Sequence, residues 1–155
     1  MHLEVKAPSV LLVSAAIAAA SLVAPGAAAA AQPVSCISKT ALAGQRCGAA
    51  SGPLVATMVP STHHPKINAN WPLEVSATLK GKPAHASAQY EFLLGYTVVS
   101  TQYVRGNKHF MFLGQFSDKL VFPPDSKGEP LTLQVVVADA GHTVKLDWAI
   151  TPGTE

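Results

Sequence analysis

Residues 71–92 read WPLEVSATLKGKPAHASAQYEF. For ten positions apolar and polar residues alternate. Trp71, Leu73, Val75, Ala77 and Leu79 fall on one side, and Pro72, Glu74, Ser76, Thr78 and Lys80 on the other. Successive side chains of a β-strand point to opposite faces, so this pattern predicts one buried and one wet face. Gly81-Lys82-Pro83 then turns the chain. A second alternating run puts Ala86, Ala88, Tyr90, Phe92 and Leu94 inward until Gly95 ends it.

Working outward, the same reading predicts seven strands, at 54–59, 71–80, about 86–94, about 96–104, about 114–122, 131–138 and 142–150. In the last, Val144, Leu146, Trp148 and Ile150 share a side. The 131–138 run, LTLQVVVA, is apolar on both sides near its end, as a central strand is. Asp139-Ala140-Gly141 reads as a hairpin turn. The stretch KHFMFL at 108–113 fits either a short strand or a hairpin arm. Short strands at this spacing, with no amphipathic helix, predict a two-layer antiparallel sandwich.

The N-terminal third is different. Residues 10–23, VLLVSAAIAAASLV, are uncharged and apolar, follow Lys6, and precede a run of alanines. That is the layout of a secretory signal peptide spanning 1–31, with Ala29 and Ala31 as the small residues before the cut. Fourteen strongly apolar residues fall short of the roughly 20 that span a bilayer, and an uncleaved anchor, the alternative, needs the following alanines to extend the run. No membrane span is therefore expected after cleavage, and the protein is expected to be secreted or extracytoplasmic. Residues 32–53, rich in Ser, Ala and Gly, are expected to form an irregular arm, with the sandwich occupying 54–152.

Export gives meaning to the two cysteines, Cys36 and Cys47. An even count in an oxidising compartment favours a disulfide over free thiols or a redox or metal pair, and the spacing is not Cys-x-x-Cys.

The runs TLKGKPAHASAQYEF and FSDKLVFPPDSKGEPLTLQVVV resemble bacterial immunoglobulin-like and fibronectin-type sandwich domains, over about 60–152. The resemblance implies a seven-stranded immunoglobulin-like β-sandwich and says little of function, because such domains host adhesion, spacing, glycan binding and accessory roles. No cysteine falls within the predicted sandwich, so the inter-sheet disulfide of antibody domains is excluded.

Chemistry is sparse. The net charge is +2, charged residues make up 13% of the chain, and Lys and Arg are scattered, which argues against a nucleic-acid partner. No Gly-x-Ser-x-Gly or Ser-x-x-Lys motif occurs, and no enzyme activity is expected. No cofactor is expected. Asp118 shares parity with Phe116, Leu120 and Phe122 and would point inward unless a bulge or late strand start turns it out. A hydrogen bond to a buried tyrosine or backbone amide is the other way to accommodate it.

His63 and His64 are the candidate metal ligands, with His85, His109, His142, Met58 and Met111 elsewhere, and copper or zinc the metal. Adjacent residues of an extended segment point in opposite directions, so the pair needs ligands from another part of the fold. Tyr96 and Tyr103, flanking the fourth predicted strand, are the candidate ligand-binding aromatics. The function expected is a non-enzymatic module that binds a protein or cell-envelope polymer or serves as a structural unit. Extracytoplasmic metal binding is the alternative.

Overall fold

A computed structural model describes residues 33–38 and 40–153; the expected signal segment and its cleavage site lie outside the described residues. The described chain is all-β, with two antiparallel sheets. The strands are β1 (Cys47–Ser51), β2 (Leu54–Pro60), β3 (Asn70–Leu79), β4 (Lys82–Pro83), β5 (His85–Leu94), β6 (Thr97–Tyr103), β7 (Met111–Leu113), β8 (Gln115–Val121), β9 (Leu131–Asp139) and β10 (His142–Ile150). One sheet runs β1-β2-β3, with β8 and β4 sharing the far side of β3. The other runs β10-β9-β5, with β6 and β7 sharing the far side of β5.

Each of the seven expected strands is present, but the described chain has ten. The first extra strand corrects the expectation of an irregular arm at 32–53. Cys47–Ser51 pairs with β2 residue for residue, from Cys47↔Met58 to Ser51↔Leu54. Its sequence, CGAAS, has no alternation to betray it. Its small residues let it lie close against β2: a Cβ on Gly48 would sit 2.5 Å from the Ala56 carbonyl oxygen. The Cys36–Cys47 disulfide forms, and both cysteines are buried.

The other two extra strands arise where the chain changes sheets. β4 belongs to one sheet and β5 to the other, with Ala84 between them. β7 and β8 are divided the same way at Gly114. The Ala77 N–H donates to the Gly114 carbonyl (2.7 Å), the Gly114 N–H to Ala84 (2.9 Å), and the Ala84 N–H to Ala77 (3.0 Å), closing a ring. Gly114 has φ +72°, and a Cβ there would lie 3.1 Å from Pro83 Cβ. KHFMFL thus resolves into a loop followed by β7.

Turn chemistry agrees with the sequence. Lys80-Gly81 and Ala140-Gly141 each have two positive φ values, as two-residue hairpins of the right twist require. Inward-facing Trp71, Leu73 and Val75 of β3 pack with Tyr90 and Phe92 of β5, Leu133, Val135 and Val137 of β9, and Leu146 and Trp148 of β10. Leu94, expected inward, is exposed. The β5–β6 pairing slips after Phe92, so the end of that hairpin leaves the core.

In place of an inter-sheet disulfide, the indole N–H groups of Trp71 and Trp148 both donate to the Thr62 carbonyl, each at 3.2 Å. One tryptophan comes from each sheet, so the β2–β3 loop is pinned to both. No helix of the described residues is long and apolar enough to cross a membrane.

Candidate functional site

The expected metal ligands are not brought together. The His63 ring stacks on Trp148 with centroids 3.9 Å apart, and its Nδ1 lies 2.7 Å from the Ala149 carbonyl. That geometry makes Nδ1 the donor and commits His63 to holding the loop against β10. His64 is exposed, and its backbone N–H donates to Thr62 Oγ1. Met58 is enclosed in the core, while Met111 is exposed on β7. Among the described residues, no three His, Cys, Asp or Glu side chains are placed to hold a metal ion.

Asp118 points inward, as its parity predicts. Pairing with β3 is regular through Leu73↔Asp118, so no bulge turns it out. Its Oδ2 accepts the Tyr90 hydroxyl at 2.9 Å, and its Oδ1 accepts the Lys119 N–H at 2.9 Å. The pair bridges the sheets, since Tyr90 belongs to β5 and Asp118 to β8. Burial pushes the Tyr90 phenol far above its ordinary range; the charge and hydrogen bond of Asp118 add to the shift, and Arg105 opposes it. This is a structural contact: it fills a carboxylate's valence where two sheets meet.

Tyr96 and Tyr103 sit at the two ends of β6, roughly 20 Å of strand apart, so they do not form one aromatic platform. Tyr96 occupies the Gly95-Tyr96 turn and is fully exposed, and Tyr103 is 40% exposed. What they bracket is more informative. All seven residues of β6, TVVSTQY, are exposed on both faces. Val98 and Val99 are among them, and Leu94, Met111 and Leu113 extend the apolar surface along the same flank. From Leu93 to Val104 the sequence carries no charge.

The edges at β1, β8 and β10 are guarded. The β1 edge is covered by the arm, where the Gly48 N–H donates to the Val34 carbonyl at 2.7 Å. β8 carries Asp118 and Lys119, and the Arg105 guanidinium donates to its Ser117 carbonyl at 2.8 Å. β10 carries Lys145 and Asp147, beside a groove shared with the arm. Natural sheets blunt their edges with charges, bulges and covering segments. β6 has only the slip at Val99 and is otherwise an uncharged strand with one hydrogen-bonding side open.

The sequence named the two flanking tyrosines and the strand between them, but not that this strand is an open, uncharged edge. The available signal was the absence of charge over twelve consecutive residues. Compared with known proteins, the chain matches no family model, no curated protein and no solved structure.

Proposed function

We propose that the chain is a secreted, non-enzymatic sandwich module of the immunoglobulin-like or fibronectin type. It binds an extended segment of another protein along β6. The exposed, charge-free edge at Thr97–Tyr103 carries this reading. Strand addition gives affinity through backbone hydrogen bonds and specificity through alternate side chains. Val98, Val99 and Tyr103 are available for such contacts, and Tyr96 stands at the strand's entrance.

Two antiparallel sheets, with β2, β3 and β8 in one and β10, β9, β5 and β6 in the other, support a sandwich, and the family reading rests on that layout together with the sequence resemblance. The buried disulfide and the apolar leader support export.

The test is photo-crosslinking from position 96 or 98 in the native extracytoplasmic fraction, with Thr143 on β10 as control. One protein should crosslink from the β6 positions and not from Thr143. Val98→Lys with Val99→Lys should abolish the crosslink from position 96 without changing the melting temperature by more than a degree or so, as both side chains are half exposed. An undiminished crosslink in that variant would remove β6 as the binding edge.

A further inference from the structure

Three chain segments distant in sequence meet around one cavity of about 570 Å³. The β2–β3 loop contributes His64, Pro65, Lys66 and Ile67, the turn after β8 contributes Pro124 and Lys127, and the chain beyond β10 contributes Gly153. Backbone hydrogen bonds tie these segments. The Thr151 N–H donates to His63, the Gly153 N–H to Pro65 and the Gly128 N–H to Pro152, each at 2.8 Å. With Thr62 held by both tryptophans, the walls are set before any ligand arrives.

Lys127 is positioned by packing. Its Cγ fills the space that a side chain on Gly153 would occupy, at 2.8 Å from the ideal Cβ, and Ile67 Cγ1 lies 3.0 Å from the same point. The apolar stem of a lysine packs in this way while its ammonium stays in water. Lys66 brings a second ammonium and His64 an imidazole. Among the described residues no Asp or Glu lines the cavity, and neither lysine is in an ion pair. The remaining walls, Pro65, Ile67 and Pro124, are apolar.

We propose that this cavity binds a small organic anion. Its acidic head lies against Lys66 and Lys127, and its short apolar body lies on Pro65, Ile67 and Pro124. The volume falls within the range of small-molecule sites, and the combination of a few convergent polar groups with apolar walls is their usual construction. Ammonium groups facing an anion form charge-assisted hydrogen bonds, while apolar walls favour the ligand's apolar body. The site is separate from β6 and does not depend on the strand-addition reading.

The test is an amide-resolved NMR titration of the purified protein with hexyl phosphate and hexanoate, and with hexanol and inorganic phosphate as single-feature controls. At least one amphiphilic anion should give saturable shifts concentrated at 62–67, 124–128 and 151–153. Each control should bind about tenfold more weakly or worse. Lys66→Gln with Lys127→Gln should weaken the anion about tenfold or more with the same melting temperature. Absence of saturable shifts at these amides, or equal affinity in the double variant, would overturn the proposal. Hexanol binding as tightly as the anions would overturn the charged half of it, and inorganic phosphate binding as tightly would overturn the apolar half.

Discussion

A single hydroxyl decides how Asp118 survives between the sheets. Tyr90 O–H is its cross-sheet donor, at 2.9 Å. Tyr90→Phe should lower stability at neutral pH by about 1–2 kcal/mol, a loss moderated by the partial exposure of Asp118 and read from urea melts. The same substitution should alter the alkaline response. Below about pH 10 the unfolded phenol is also neutral, and Tyr90's contribution is whole. As pH rises past that value, the unfolded chain releases this proton while folded Tyr90 retains it, so wild-type stability falls. The phenylalanine variant should lack that part of the fall. Equal slopes of stability against pH in the two proteins would contradict the assignment. Parity with Phe116 and Leu120 raised an inward Asp118 in the sequence, but a bulge or late strand start was the leading expectation, and the regular β3–β8 register overturns it. The partner of Asp118 was not legible, because Tyr90 lies 28 residues away in the opposite sheet.

At the level of strands, sequence legibility followed period-two alternation. β3, β5 and β10 alternate strictly because each has one face in the core, and all were readable to within a residue or so. β1 was hidden because Cys, Gly, Ala and Ser have no contrast to alternate; its conformation is imposed by β2. Gly48→Ala should therefore be costly for so small a change, since its Cβ would meet the Ala56 carbonyl oxygen at 2.5 Å. A loss of about 2 kcal/mol or more is expected from overpacking, detected as a lower melting midpoint. Gly44→Ala, with φ +76° but open space around it, should lose only about 1 kcal/mol. If the two variants melted alike, close packing of β1 on β2 would be refuted. β6 was visible as a strand but not as an open edge, because edge position depends on which strands pair.

For the molecule as a whole, the arm is held by one covalent link and a few backbone hydrogen bonds. The Cys36–Cys47 bridge closes an 11-residue separation, and Cys47 begins β1. Replacing both cysteines with serine should cost about 3 kcal/mol by the loop-entropy estimate, measured by denaturant melts with and without reductant. Hydrogen exchange at Gly48 should rise in the variant, since its N–H depends on Val34 in the arm. Unchanged stability would mean that the arm holds its place without the bridge. None of the cavity at the end of the sandwich was legible in the sequence. Its walls come from residues near 65, 125 and 153, and only the fold makes them neighbours.

The closed circuit formed by Ala77, Ala84 and Gly114 governs how such a molecule can come apart. Because two covalent crossings pass through it, neither layer can peel from the other without rupturing the seam. Partial opening should be confined to the periphery, at β6 and the arm, and the layers should melt in a single step. Deuterium uptake at those three amides should consequently report the global transition alone, with the same denaturant dependence as whole-chain unfolding.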